Sequence, residues 1–428
     1  MLLIIRSKMK SHWRTVISHM NILILTQYFY PEQFRINMIA QELLKKGHQV
    51  MVLTGQPNYP KGETYSGYKA YRFQKEIWEG ITIYRVPVIP RGNGRNKRLI
   101  LNYVSFMLSS TLFSLSFKNK KFDSCFVFQP GPIFQAFAGV ALKKLYRVPL
   151  YVWTQDLWPE SLSATGRLSV PIIEKAIRQF VGLVYRNSDR VLVTSEAFIP
   201  SITQFRLSEK PMFLANACED FYRPISENEK KSVSGMPSGF KVMFTGNLGA
   251  AQALPTLIEA ANSLKEHADI KWVLVGAGSE LENTKQLVNK YGLEEQVIFL
   301  GSYPSEFMPY VIVEADVCVA TLNKSPIFSL TLPGKIQSYM ACEKPIISAI
   351  DGETARIIHD AKCGVAVDSE DAQALAHAVL ALKNKSLDER LEMGKNARRY
   401  YEKHFRSDVV IDKLTAVLSG QKDNLYCA

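Results

Sequence analysis

The chain has 428 residues and a formal net charge of +12, with 47% hydrophobic and 21% charged residues. That length exceeds what one hydrophobic core normally fills, so two domains are expected, and the balance of apolar to charged residues excludes a disordered, collagen-like or coiled-coil chain. Six cysteines (125, 218, 318, 342, 363 and 427) stand far apart with no CxxC pair, which argues against a disulfide scaffold or a cysteine zinc site and suits a reducing cytosol.

Residues 1–19 read as an extension of low structural content, with Met20 as an alternative start. The apolar run Met1–Ile5 is too short for the core of a signal peptide. From Met20 the chain alternates strand and helix. Asn21–Leu25 is a strand, Gln27–Phe34 a loop, Ile36–Lys46 an amphipathic helix that stops at Gly47, and His48–Thr54 the next strand. This is a β-α-β unit opening a parallel sheet. Further strands are expected at Ile81–Val88, Asp123–Gln129, Leu150–Trp153 and Arg190–Thr194, with helices at Ile133–Leu145 and Ser169–Asn187. The rhythm restarts at Phe240–Thr245, with helix Ala253–His267, strand Ile270–Val275, helix Ser279–Tyr291 and strand Val297–Leu300. It continues through Val317–Ala320, Leu332–Ala341, Pro345–Ala349 and helix Ser369–Asn384, and ends in helices Arg390–Phe405 and Asp408–Leu418. The reading is two Rossmann-like α/β domains, residues 20–205 and 206–405, with residues 406–428 crossing back to the first. The polar segment Ser226–Ser238 is the linker candidate.

The charge divides between these halves. Up to Phe205 there are 27 Lys+Arg and 11 Asp+Glu, a balance of +16; the remainder holds 25 and 29, a balance of −4. Between Gly80 and Phe122 lie eight basic residues and no acid, and they flank the uncharged 19-residue run Leu99–Phe117. Asn102, Tyr103, Thr111 and a series of serines dilute that run, which argues against a true membrane span. Two readings stay open: a buried helix of the first domain, or a helix that also dips one face into an anionic membrane surface, held by the flanking Arg and Lys. A basic half would also suit nucleic acid, but no nucleic-acid motif is present.

Chemistry concentrates where strands end. Gly246-Asn247-Leu248-Gly249 and Gly276-Ala277-Gly278 are glycine turns after successive strands, suited to close backbone approach to an anion. Lys335, in Thr331-Leu332-Pro333-Gly334-Lys335 at a helix entrance, is a candidate phosphate ligand. In the first half Asp156 lies in Trp153-Thr154-Gln155-Asp156-Leu157-Trp158, a carboxylate between tryptophans that would suit a sugar, and Arg35 closes the loop after the first strand. There is no GxSxG, no GxxxxGK[ST] and no D-x-D triplet, and the seven histidines lack metal-ligand spacing, so no metal site is expected.

The segments FTGNLGAAQALPTLIEAA, VGAGSELE, FLGSYPSEFMPYVIVEADVCVATL and LPGKIQSYMACEKPII resemble glycosyltransferase family 4. ILTQYFYPEQFRINMIAQELLKKGHQVMVLTGQPNYP and WTQDLWPES are similar to its bacterial O-antigen and capsule branch, which includes L-fucosamine transferases. The resemblance runs from Met20 to about Phe405. It implies a GT-B fold, two Rossmann-like domains facing across a cleft, with the nucleotide-sugar in the C-terminal domain and the acceptor in the N-terminal one. It further implies retention of anomeric configuration and no required cofactor or metal. By position, Gly246, Asn247 and Gly249 would sit at the diphosphate, Gly276 and Gly278 near the nucleotide, and Tyr303 in the loop passing the base, while Asp156 matches a polar residue on the acceptor side.

The chain also departs from that pattern. The family's arginine and lysine after the first glycine fall on Asn247 and Gln252, and the two glutamates of its EX7E signature on Leu330 and Ser338. Lys335, assisted by Arg35 and backbone N–H groups, is the expected substitute for the basic pair, and Glu353 for the ribose-binding glutamate. The expected activity is retaining transfer from a UDP-sugar to a polyprenyl-diphosphate-linked saccharide by a cytoplasmic protein peripheral to the inner membrane. A nucleotide-sugar 2-epimerase and a non-catalytic sugar- or lipid-binding scaffold are the alternatives.

Overall fold

The computed structural model describes residues 19–92, 96–161 and 171–421. The expectations for residues 1–18, and the start of the helix expected from Ser169, fall outside the described residues. The chain forms two compact units. Unit 1 comprises the chain up to Val193, Ile199–Leu214 and everything from Ile411, and unit 2 comprises Thr194–Phe198 and Ala215–Val410. Strands are numbered below in chain order, as are helices of eight or more residues.

Unit 1 is built on one sheet of order β3-β4-β2-β1-β5-β6-β7-β8. Its strands are β1 (Asn21–Leu25), β2 (Gln49–Gly55), β3 (Gln74–Trp78), β4 (Ile81–Val86), β5 (Ser124–Gln129), β6 (Leu150–Thr154), β7 (Arg190–Val193) and β8 (Met212–Phe213). β1 is central, with Leu23 in register with Met51 on one side and Cys125 on the other. Its NILIL composition suits a strand covered on both faces. Helix α1 (Arg35–Lys45) buries Ile36, Ile39, Ala40 and Leu43, the spacing of one helical face. All pairings are parallel except that of β3 with β4. β3 was not expected, because QKEIW holds three polar residues and no apolar run, as an edge strand can and a core strand cannot; Ile77 on it is exposed.

The uncharged run forms helix α2 (Asn96–Ser114), prolonged by a 3-10 turn to Asn119. Its inner face buries Leu99, Asn102, Phe106, Ser110, Ser114 and Phe117; its outer face leaves Ile100, Leu101, Leu108, Leu112 and Leu115 exposed. Apolar residues thus lie on both faces, whereas those of an ordinary surface helix turn inward. Lys97–Asn119 is long and apolar enough to cross a membrane. Asn102, however, is fully buried and hydrogen-bonded to Gln27 (2.7 Å) and to the Ile89 carbonyl (2.7 Å), which ties the helix into unit 1.

Unit 2 is a six-stranded, all-parallel sheet of order β11-β10-β9-β12-β13-β14. It comprises β9 (Phe240–Thr245), β10 (Ile270–Val275), β11 (Val297–Gly301), β12 (Val317–Thr321), β13 (Ile346–Ala349) and β14 (Gly364–Val367). Helices α5 (Leu254–Ser263), α6 (Leu281–Tyr291), α7 (Gly334–Ala341), α8 (Glu353–Ala361), α9 (Ala372–Lys383) and α10 (Leu387–His404) accompany it, as α3 (Phe137–Tyr146) and α4 (Pro171–Arg186) accompany the first sheet. Phe244, Leu257, Ile258, Trp272, Leu274 and Val319 belong to its core. β14 and α8 were not anticipated.

Two boundaries differ from expectation. Ser226–Ser238 is not a linker: it lies inside unit 2, anchored by buried Ile225 and Val233, and the chain changes unit at Leu214/Ala215. The last helix, α11 (Ser407–Leu418), joins unit 1 from Ile411 rather than from residue 406. Ile411, Leu414 and Leu418 are buried there, and Asp412 pairs with Lys46 at 2.5 Å.

Candidate active site

In a parallel sheet with helices on both faces, ligands gather at the carboxyl ends of the strands. Unit 2 has a cavity of about 450 Å³ there, lined by Tyr222, Thr245, Gly246, Asn247, Val275, Gly276, Ala277, Ser302, Tyr303, Ser305, Met308, Lys335 and Ser338.

The two glycine turns are pressed together at its floor. Gly246 N–H donates to Val275 O (2.9 Å) and Leu248 N–H to Ala277 O (2.9 Å). Gly276 has φ +145°, and a Cβ on it would lie 1.8 Å from the Gly246 carbonyl oxygen; one on Gly278 would lie 2.3 Å from that of Leu248. These glycines therefore serve the contact between turns before any ligand, and the Gly246 N–H is already spent within the backbone. The N–H groups of Asn247 and Gly249 have no protein acceptor among the described residues.

Lys335 enters over this floor. Its Nζ lies 3.6 Å from the centre of the Phe244 ring and donates to Gln252 Oε1 at 2.5 Å. Burial pushes its pKa down to about 7, since an ammonium withdrawn from water is disfavoured. The side chain keeps part of its surface open to the cavity, so the cation is desolvated yet reachable. Four residues along α7, on the same helical face, Tyr339 is fully buried; its hydroxyl accepts from Thr245 N–H (2.9 Å) and Thr245 Oγ1 (3.1 Å). Tyr339 thus clamps α7 to the end of β9 and fixes where Lys335 points. Tyr339 was not among the residues expected from the sequence, and its tie to the strand end appears only in three dimensions.

The other expected residues divide. Gly246, Asn247, Gly276, Tyr303, Lys335 and Ser338 all line the cavity. Gln252 is joined to it through Lys335, and Gly249 and Gly278 stand behind the turns. Tyr303 stacks on Phe307 (5.4 Å, 18°). Glu353 is a correction: it begins α8, buried, with both carboxylate oxygens held by Arg356 at 2.8 and 3.0 Å, and it does not line the cavity. Arg356 also bridges to Glu196 and Asp360, so the i,i+3 pairing and this network claim Glu353. Arg35 opens α1 in unit 1 and is already engaged by other groups there.

Asp156 follows β6 at the carboxyl edge of the unit 1 sheet. Its carboxylate has no hydrogen bond or ion pair among the described residues, and burial raises its pKa to about 6. The residue nonetheless exposes surface, as a group does when protein crowds it on most sides and one face is open. The acid missed from sequence is Glu32. It is nearly fully buried and accepts from Asn58 N–H (2.8 Å), Tyr59 N–H (2.7 Å) and Phe29 N–H (3.3 Å), which joins the loop after β1 to the loop after β2. Burial raises its pKa to about 7 against those donors. Among the described residues there is no cluster of three or more His, Cys, Asp or Glu able to hold a metal ion.

Comparison with known proteins agrees with this geometry. Residues 33–213 match the family described as glycosyl transferase 4-like domain, and residues 226–400 that of glycosyl transferases group 1. A protein of Escherichia coli named as a colanic acid biosynthesis glycosyl transferase, WcaI, is 25% identical over 338 residues, covering 75% of this chain and 81% of that one. Among solved structures, sucrose-phosphate synthase from Thermosynechococcus elongatus superposes with a TM-score of 0.70 at 16% identity, covering 93% of this chain and 98% of that one. Anabaena HepE in complex with UDP gives 0.68 at 16% identity, covering 94% and 100%.

Proposed function

The chain is a glycosyltransferase of family 4 with the GT-B fold, and from that premise we propose that it works in polysaccharide biosynthesis, transferring a sugar from a UDP-sugar to a lipid-linked saccharide with retention of anomeric configuration. The observation that carries the donor side is Lys335, a desolvated cation over a glycine floor in a cavity of about 450 Å³. HepE, which shares the fold, holds UDP. The donor sugar is an N-acetylated deoxyhexosamine of the L-fucosamine type, a choice supported by the likeness of QYFYPEQF and WTQDLWPES to that branch.

In the reaction the bond from the anomeric carbon to the diphosphate oxygen breaks, and a bond to an acceptor hydroxyl oxygen forms on the same face. The hydroxyl proton passes to the departing diphosphate. Negative charge grows on the leaving group, so Lys335 and the N–H groups of Asn247 and Gly249 bind the transition state more tightly than the ground state. Asp156 orients the acceptor hydroxyl or offsets positive charge on the sugar.

The acceptor is a polyprenyl-diphosphate-linked saccharide at the cytoplasmic face of the inner membrane. Support comes from the outward Ile100, Leu101, Leu108, Leu112 and Leu115 of α2, continued by exposed Phe73 stacked on Phe113 (5.4 Å) and flanked by Lys97, Arg98, Lys118, Lys120 and Lys121. Incubation with radiolabelled UDP-sugars and membrane lipid extract tests the reading. Label entering lipid supports it, whereas an altered free nucleotide-sugar, or no reaction, refutes it.

A further inference from the structure

The stretch after β4 presents a cation with no carboxylate partner among the described residues. The guanidinium carbon of Arg91 lies 4.8 Å from the centre of the Tyr59 ring, and among the described residues Arg91 takes part in no ion pair. Tyr59 packs on Tyr28 (5.5 Å between centres) and Phe34 (5.1 Å), and Tyr28 and Phe34 stack at 5.1 Å and 9°. Tyr28 is only 5% exposed, and its hydroxyl is buried without a hydrogen-bond partner. Such groups are rare in folded proteins unless a ligand or water completes them. The charged group nearest in kind to a competitor, Glu32, has its carboxylate oxygens occupied by three backbone N–H groups.

The cluster is rigidly founded. Asn58 Oδ1 accepts from Arg91 N–H (3.1 Å), Gly92 N–H donates to Gly62 O (2.9 Å), and Arg98 Nε donates to Pro90 O (3.3 Å), which brings a second guanidinium to the same loop. Fully buried Asn102 joins that loop to α2 by donating to the Ile89 carbonyl. A guanidinium offers a planar fork that matches phosphate oxygens, and stacking on tyrosine leaves that fork pre-oriented.

We propose that Arg91, with the Tyr28 hydroxyl and with Arg98 at the rim, forms the subsite for the diphosphate of a polyprenyl-linked acceptor. This rests on the reading above that the acceptor is lipid-linked. Asn102 and Arg98 of α2 bond to Ile89 and Pro90, next to Arg91, and the outer face of the same helix carries exposed apolar residues, so a lipid at α2 would bring its diphosphate to this stretch.

The test is equilibrium binding of farnesyl diphosphate, farnesyl phosphate and farnesol to the full chain without vesicles. Arg91→Ala is expected to weaken farnesyl diphosphate about 10–100-fold, in line with loss of a charge-assisted hydrogen-bond pair, and to leave farnesol unchanged. Arg91→Lys is expected to recover part of the loss, and Tyr28→Phe to lose several-fold. Equal farnesyl diphosphate affinity in wild type and Arg91→Ala overturns the proposal. So does an equal loss on phosphatidylglycerol vesicles, which would make Arg91 a headgroup contact only. Transfer assays separate the two readings. Lipid labelled equally by wild type and Arg91→Ala overturns this subsite alone, whereas no labelled lipid with the wild type overturns the lipid-linked acceptor itself.

Discussion

Replacing Lys335 by alanine removes the one side-chain cation among the described residues that line the unit 2 cavity and leaves Gln252 Oε1 without the donor now 2.5 Å away. An ammonium facing a diphosphate contributes about 1.5–3 kcal/mol as a charge-assisted hydrogen bond, which is roughly a 10–150-fold rise in the dissociation constant for UDP. The pH dependence is more diagnostic. With its pKa near 7 in the free protein, Lys335 is mostly neutral at pH 8, and a bound diphosphate favours the charged form. UDP binding therefore takes up a proton above pH 7, and affinity falls with rising pH by up to about tenfold per unit until the pKa of the complex is reached. Isothermal titration calorimetry in two buffers of different ionisation enthalpy measures both quantities. Lys335→Ala is expected to show weaker, pH-independent binding with no proton uptake. Adding Gln252→Lys is expected to restore part of the affinity, because residue 252 already touches the Nζ position. Wild-type affinity that stays flat from pH 6.5 to 9, or a Lys335→Ala affinity equal to wild type, would refute the argument.

Asp156, with its pKa raised to about 6, is expected to give turnover an acid limb: activity rises as pH climbs through 6 and the carboxylate ionises. Asp156→Asn is expected to lower turnover strongly, abolish that limb in the pH–rate profile and leave UDP affinity unchanged. Tyr339→Phe removes the hydroxyl that accepts from Thr245; a stability loss of about 1–3 kcal/mol in urea unfolding should accompany weaker UDP binding. An unchanged UDP affinity there would show that Lys335 does not depend on the clamp. Gly276→Ala places a Cβ 1.8 Å from the Gly246 carbonyl at φ +145°, and its thermal melting temperature should fall by several degrees or soluble protein be lost; a stable variant would show that the two turns can separate.

Strand positions were legible in one dimension where burial on both faces made a strand mostly apolar. Asn21–Leu25, Phe240–Thr245 and Ile270–Val275 have in the structure the bounds read from the sequence. β3 was hidden because an edge strand needs no apolar run, and Glu353 was misplaced because nothing local says that Arg356 will take both of its oxygens. The charge asymmetry was visible at once, but not that α2 would bury Asn102, Ser110 and Ser114 while Ile100, Leu101, Leu108 and Leu112 stay exposed.

By itself the sequence determined the alternation of strands and helices, the glycine turns at the strand ends and the identity of Lys335, since backbone periodicity and residue chemistry are local properties. The tertiary structure decided what each of these does. It set the Gly246 and Gly276 turns against one another, held Lys335 over Phe244 through Tyr339, buried Asn102 beneath an apolar outer face, and left Arg91 on Tyr59 without a carboxylate. Those outcomes depend on which side chains meet across distant stretches of chain. Desolvation and pairing are set by that meeting, and no local pattern encodes it.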